Sequence, residues 1–260
     1  MPGSQLGAPE RLVKSVERVR DLGEVFTPAA TVEAMLDLMP AEIWSSNPSP
    51  TFLEPACGDG NFLVAILNRK LQRVAADLSA GRLGAGDTAE AAQFHAIEVL
   101  ASIYAVDISI DNIVGGTPGH ELGARSRLLA LFSEWNASFL DRRLSSRSLV
   151  RRAAEWVVEH NLIVGNMLPF DASGKASGRD AIPLIEYRFE PVNHVVTLMK
   201  TTMGEVLASA EDKAASAPSL FGVPEPERLW KGKAINLAEA DRVEAPKLGG
   251  PARNGSRGRR

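Results

Sequence analysis

Residues 51–67 read TFLEPACGDGNFLVAIL, and this stretch decides the fold. A short apolar run at 51–56 leads into a turn that carries Gly58 and Gly60. Apolar side chains then recur at helical spacing, at Phe62, Leu63, Ile66, Leu67, Leu71, Val74 and Leu78. A buried strand, a tight turn and an amphipathic helix form the first half of a βαβ unit. The stretch therefore predicts an α/β protein.

Two further apolar runs are typical of buried strands: SIYAVDI at 102–108 and NLIVGN at 161–166. Segments with helical periodicity separate them, at 89–101, 121–135 and 148–160. Strands that alternate with helices predict a parallel sheet with crossover helices, whose ligands lie beyond the carboxyl ends of the strands. IPLIEYRFE and HVVTLMK predict two more strands, with a hairpin around 191–193 as one arrangement.

The composition indicates one domain. The chain has 260 residues, 45% of them hydrophobic, which is enough for a single sizeable core. We predict a loose or helical lead-in at 1–23, a folded domain at 24–207, and a weakly structured tail at 208–260. The last fifteen residues hold five basic side chains and no acid, which is typical of a disordered basic tail.

Charge and cysteine content narrow the class of protein. The net charge of -3 means that any nucleic-acid surface would be a local patch. A single cysteine, Cys57, excludes an internal disulfide and indicates a reducing compartment. No apolar run approaches the ~20 residues of a membrane span, and the first twenty residues do not resemble a secretory signal. We expect a cytoplasmic protein with no membrane partner. The histidines show no metal spacing, so no metal site is predicted.

Acids flank the predicted glycine turn. Glu54 ends the strand before it, and Asp107 ends the next strand, where a carboxylate can accept hydrogen bonds from a ribose diol. Dinucleotide-binding folds place that acid ~20 residues after the glycines. Here the separation from Gly60 is 107 − 60 = 47 residues, and the third glycine of the dinucleotide motif is absent. The pattern disfavours a dinucleotide and still allows a nucleoside-type cofactor.

Four stretches together resemble a known family. EVFTP (24–28), FLEPACGDGNFL (52–63), IYAVDI (103–108) and IVGNML (163–168) are similar, in this order, to the motifs of the adenine-N6 DNA methyltransferases. The nearest varieties are type I modification subunits and fused restriction–modification enzymes. The resemblance covers about residues 10–170. It implies a Rossmann-like fold of the S-adenosylmethionine-dependent methyltransferases: a parallel sheet with helices on both faces, here truncated, and a disordered C-terminal tail.

The resemblance also implies a cofactor, S-adenosylmethionine, and the residues that hold it. Phe26, Thr27 and Pro28 match the element that leans over the methionine part. The main cofactor loop corresponds to Glu54, Pro55, Ala56, Gly58 and Gly60. Asp107 matches the acid that holds the ribose, and Ile108 matches the apolar neighbour of the adenine ring.

The catalytic tetrapeptide of the family, Asn/Asp/Ser-Pro-Pro-Tyr/Phe, does not occur in the sequence. Asn166, Pro169 and Phe170 have the right chemical types, but the spacing is one residue too long and the first proline is missing. The alternative interpretation follows from strand order: NLIVGN is the third strand, and Asn166 is then the family's third cofactor element, bonded to the adenine. That interpretation makes IPLIEYRFE the fourth strand, with no catalytic motif.

The function implied is that of a site-specific, adenine-specific DNA methyltransferase or a modification subunit of a restriction–modification system. Its expected partners are adenine in duplex DNA and a specificity or restriction subunit. The alternative is a catalytically inactive methyltransferase-like protein that binds cofactor, DNA or a restriction partner. The missing tetrapeptide is what separates these two hypotheses.

Overall fold

The computed structural model describes residues 12–22, 24–44, 50–83, 88–116, 122–214 and 227–242. Its first sheet has three strands: β1 (Phe52–Glu54), β2 (Ile103–Asp107) and β3 (Leu162–Val164). They lie in the order β1-β2-β3, and both pairings are parallel. The prediction of a mixed α/β fold with a parallel sheet is confirmed.

Eight α-helices connect and cover the strands in the described part of the chain. They are α1 (Val16–Leu22), α2 (Ala29–Leu36), α3 (Asn61–Ser79), α4 (Ala89–Ala101), α5 (Ile110–Ile113), α6 (Ala124–Leu140), α7 (Leu149–Asn161) and α8 (Met203–Ala214). Short 3-10 helices lie at Ala41–Trp44, Arg179–Ala181, Pro191–Asn193 and Ala234–Arg242. The hydroxyl oxygen of Thr88 accepts from the Ala91 N–H at 3.2 Å, which fixes the predicted start of α4.

The main core lies between the parallel sheet and helices α3, α4, α6 and α7. The apolar stripe predicted for α3 is buried at Leu63, Ile66, Leu67, Leu71 and Val74, whereas Phe62 and Leu78 are only partly buried. Fully burying one such side chain contributes about 1.5–3 kcal/mol. The stripe therefore fixes α3 against the sheet, and with α3 the turn that precedes it.

A second sheet is antiparallel. It consists of β4 (Pro183–Glu190), β5 (Val195–Thr202) and β6 (Arg228–Lys233), in that order. The predicted hairpin is confirmed, since β4 and β5 pair over eight residues across the 3-10 turn at Pro191–Asn193. The interpretation of IPLIEYRFE as a fourth strand of the first sheet is wrong. The tight turn, closed by His194 at φ 52°, returns the chain at once and gives β4 an antiparallel neighbour.

The aromatic side chains of β4 serve packing. The Tyr187 hydroxyl donates to Asn161 Oδ1 at 2.8 Å, and the Phe189 ring meets Phe94 edge-on at 5.6 Å between centroids. The other face of the parallel sheet is covered in part by a small cluster of buried apolar residues: Val106, Ile163, Ile182, Leu184 and Met203. The two sheets therefore pack into one folded body.

Regular structure extends past the predicted domain boundary at residue 207. Helix α8 continues through Ala214, and β6 is followed by a 3-10 helix that packs against α7. β6 reads RLWKGK, in which three of the six residues are basic, so its sequence lacks the apolar alternation that would have predicted a strand. Residues 215–226 and 243–260 of the predicted tail, and residues 1–11 and 23 of the predicted lead-in, lie outside the described residues. No helix in the described ranges is both long enough and apolar enough to cross a membrane.

Candidate functional site

The turn between β1 and α3 requires both of its glycines. Gly58 and Gly60 have φ of 54° and 96°, in the left-handed region that side chains disfavour. A Cβ on Gly58 would lie 3.0 Å from the ring of Phe26, and one on Gly60 would lie 3.0 Å from the Ala124 Cβ at the start of α6. The backbone of the turn is thus held closely between an aromatic ring and a helix.

Asp107 binds this turn directly. Its Oδ2 accepts a hydrogen bond from the Gly58 N–H at 2.9 Å, and its Oδ1 accepts from the Ser109 N–H at 2.8 Å and from Asn112 Nδ2 at 3.0 Å. A carboxylate offers about four acceptor positions, so roughly one stays open to a ligand hydroxyl. The predicted ribose acid and the predicted glycine turn therefore meet, although Asp107 is already engaged in holding the turn.

Residues 24–28, which we call the strap, carry Phe26 and Thr27 over the turn. Asn112, whose Nδ2 donates to Asp107, also donates to Glu24 Oε2 at 3.0 Å. Burial favours a higher pKa for Glu24, but hydrogen bonds from Arg18 and Asn112 hold that pKa below its ordinary value. Glu24 is thus ionised at neutral pH. The buried Asn112 therefore links the strap to the acid that holds the glycine turn.

The lead-in is fastened to the same region. Lys14 Nζ donates to Asp111 Oδ2 at 2.9 Å, and the Arg18 guanidinium bonds both carboxylate oxygens of Asp111. The Lys14 side chain is only 2% exposed. Since buried charges are costly unless paired, these contacts hold Lys14 and Arg18 of the lead-in against α5.

A cavity of about 170 Å³ lies between the strap and the glycine turn. Its lining consists of Val25, Phe26, Thr27, Glu54, Ala56, Cys57, Gly58, Asp59, Asn61 and Phe62. Two of these residues are acids and none is basic. Asp59 pairs with Arg127 at 3.0 Å, whereas Glu54 has no ion pair in the described part of the chain. Burial and the nearby charge of Asp107 raise the pKa of Glu54. The cavity therefore suits a cationic ligand.

Cys57 lines the cavity as a neutral thiol. Its side chain is buried, and its Sγ lies 3.4 Å from the carbonyl oxygen of Gly58. Burial, with the charges of Asp107 and Glu54, raises the pKa of the thiol well above its ordinary range. A nucleophilic cysteine needs the opposite shift. Among the residues that the structure describes, no group of three His, Cys, Asp or Glu could hold a metal ion.

The predicted site residues divide into two sets. Phe26, Thr27, Glu54, Ala56 and Gly58 line the cavity, and Asp107 bonds Gly58. The remaining predicted residues are not part of the lining: Pro28, Pro55, Gly60, Ile108 and Asn166. Pro28 precedes α2 and Gly60 precedes α3, so these two shape the backbone around the cavity.

Ile108 and Asn166 follow adjacent strands. β3 pairs with β2 so that Val164 lies opposite Asp107, which brings the ends of both strands to one edge of the sheet. Ile108 is 59% exposed there. Asn166 Oδ1 accepts from the Leu168 N–H at 3.0 Å and closes a local turn. The interpretation of Asn166 as a cofactor residue requires the strand order β1-β2-β3, which the sheet has. A contact between Asn166 and a ligand stays a prediction.

Sequence reasoning missed Asn61 and Arg127. Asn61 begins α3 beside the predicted loop, and its polar side chain at a helix start was the available signal. Arg127 lies 66 residues further along the chain, and no sequence pattern links it to the turn.

Comparison with known proteins found no family model, curated protein or solved structure that matches this chain.

Proposed function

We propose that this chain binds S-adenosylmethionine in the cavity between the strap and the glycine turn, as an adenine-N6 DNA methyltransferase or modification subunit with a Rossmann-like fold. The observation that carries the proposal is the hydrogen bond from the Gly58 N–H to Asp107. It joins two separate motifs of the family resemblance at one anionic cavity. The motif at 24–28 contributes Phe26, whose ring lies against the same glycine.

The chemistry of the cavity fits this cofactor. S-adenosylmethionine carries a sulfonium and an ammonium group, and Glu54 supplies a carboxylate that has no ion pair within the described ranges. The rings of Phe26 and Phe62 add apolar surface to the lining of the cavity. Asp107 has about one acceptor position left for a ribose hydroxyl. A phosphate-bearing cofactor would meet the carboxylate of Glu54 and no basic residue among the lining residues, so a nucleotide fits poorly.

The cavity is small for the whole cofactor. Small-molecule sites usually enclose about 300–1,000 Å³, and this cavity has about 170 Å³. S-adenosylmethionine therefore extends beyond the cavity. The exposed Ile108 after β2 is the apolar surface proposed to meet its adenine ring.

A second candidate is cofactor binding without transfer by this chain alone. Two observations favour it: the Asn-Pro-Pro-aromatic tetrapeptide is absent from the sequence, and β4 belongs to the antiparallel sheet and not to the parallel one. Under this candidate the groups that activate the adenine amine come from a restriction or specificity partner. Both candidates share the cofactor site.

Titration calorimetry of the full chain tests the shared site. We expect S-adenosylmethionine to bind, and Glu54→Gln to weaken binding about tenfold, because one partly desolvated charge pair is lost. ATP has the same adenosine part with a polyanion in place of the methionine, and it should give no heat. A folded sample that gives no heat with S-adenosylmethionine contradicts the proposal, and so does equal binding of ATP.

Transfer of a tritiated methyl group to unmodified duplex DNA separates the two candidates. Transfer by the chain alone supports the methyltransferase, and cofactor binding without transfer supports the second candidate. We expect Asn166→Ala to weaken cofactor binding, since the strand order favours Asn166 as the third cofactor element. If Asn166→Ala abolishes transfer and leaves cofactor affinity intact, Asn166 is catalytic instead.

A further inference from the structure

We infer that Arg127 is a positioning residue that sets both the shape and the charge of the cavity between the strap and the glycine turn. The inference rests on the proposed function only for the identity of the ligand. Arg127 lies on the first turn of α6, and its guanidinium reaches across to the turn between β1 and α3.

The guanidinium makes three contacts with the turn. Nη1 donates to the Asp59 carbonyl oxygen at 2.8 Å and lies 3.0 Å from Asp59 Oδ1, and Nη2 donates to Asn61 Oδ1 at 2.8 Å. These partners are a backbone carbonyl, a carboxylate and a side-chain amide. The fork of a guanidinium suits several acceptors at fixed angles, which a lysine ammonium cannot match.

The contacts continue through Asn61 to the strap. With its Oδ1 held by Arg127, Asn61 directs its Nδ2 to the Thr27 carbonyl oxygen at 2.9 Å. Asn61 therefore connects α6 to the strap. Asn112 provides a second connection, because it donates both to Glu24 of the strap and to Asp107, which accepts from Gly58.

Arg127 also decides which acid of the lining stays unpaired. Its ion pair neutralises Asp59, while Glu54 has no ion pair among the described residues. A cationic group of the ligand is therefore directed to Glu54, at the end of β1. Without Arg127 the cavity would hold two competing carboxylates, and the ligand's cation would lose this preference.

Arg125 provides an internal control on the same helix. It too donates to backbone carbonyls, at 2.7 Å to Leu162 and 2.8 Å to Glu159, but these lie where α7 meets β3. Arg125→Met therefore removes a comparable structural anchor and leaves the glycine turn untouched. Any effect that Arg127→Met shares with it reports on folding alone.

Amide hydrogen exchange of the ligand-free chain is the first readout. We expect Arg127→Met to speed exchange at residues 58–61 about tenfold relative to wild type, as a charge-assisted anchor is lost. Arg125→Met should leave those amides unchanged. Arg127→Lys keeps the charge beside Asp59 without the fork and should give an intermediate rate.

Calorimetry with S-adenosylmethionine is the second readout. Arg127→Met should weaken binding about tenfold, Arg127→Lys should restore part of the loss, and Arg125→Met should bind as wild type does. Unchanged exchange at 58–61 in Arg127→Met overturns the inference, and so does the same acceleration in Arg125→Met. If the wild type binds no S-adenosylmethionine, the proposed function fails, and the exchange data still decide the role of Arg127.

Discussion

Asp107→Ala should lower the free energy of unfolding by about 3–5 kcal/mol and abolish binding of S-adenosylmethionine, because three donors lose their acceptor at a site that water reaches poorly. The donors are the Gly58 and Ser109 N–H groups and Asn112 Nδ2. A whole domain is stable by only about 5–15 kcal/mol. Urea unfolding measures the loss, and calorimetry measures the binding.

Asp171 provides a matched control. Its Oδ1 also accepts from three donors, the Ser173 N–H, the Ser173 hydroxyl and the Lys175 N–H, but it lies on an exposed turn. Water replaces the lost acceptor there, so Asp171→Ala should destabilise much less than Asp107→Ala. Equal losses in the two variants would contradict a buried anchoring role for Asp107.

Asp107→Asn separates folding from binding. Its amide oxygen can still accept from Ser109 and Asn112, while its NH₂ group faces the Gly58 N–H, which then has no acceptor. We expect a smaller loss of stability than in Asp107→Ala, together with weak cofactor binding. If Asp107→Asn binds S-adenosylmethionine as tightly as wild type does, Asp107 does not hold the ribose.

Much of this site could be predicted from the sequence of residues 51–67, because the backbone turn and the helix that form it are determined by neighbouring residues. Left-handed φ at Gly58 and Gly60 and the apolar stripe of α3 leave a direct trace in the sequence. The acid that ends β2 could be placed beside the turn as well, since neighbouring parallel strands end at one edge of a sheet. The contacts of Arg127 and Asn112 depend on how α5 and α6 return to that edge, which no periodicity reveals.

Helix α3 shows a second limit of pattern reading. Lys70 lies beside the apolar stripe, where hydropathy predicts an exposed or half-exposed cation, yet the residue is fully buried. Its Nζ donates to the Pro50 carbonyl oxygen and to Ser102 Oγ, and it lies 4.9 Å from the centre of the Phe52 ring. The amine thus bridges α3 to the start of β1 and the turn before β2, a role that only the assembled fold defines.

The burial of Lys70 predicts a stability that rises with pH. Desolvation lowers the pKa of Lys70 from 10.5 to about 7, against a weaker opposing effect of Glu98. Between these values the unfolded chain holds one proton more than the folded chain. The free energy of unfolding therefore rises by about 1.4 kcal/mol per pH unit. Below pH 7 both states hold the proton, so the burial penalty is fully present there.

The window from pH 7 to 8.5 isolates this effect, and urea unfolding across it should show a gain of about 2 kcal/mol in wild type. The lowered pKa of His194 changes the free energy of unfolding only below this window. The raised pKa of the Cys57 thiol lowers the free energy of unfolding only at higher pH. Lys70→Met should remove the slope, because its unbranched side chain fills the site without a proton to lose. Lys175→Met changes an exposed lysine and should keep the slope. A slope that survives in Lys70→Met would mean that the buried amine stays charged, with Glu98 compensating its desolvation.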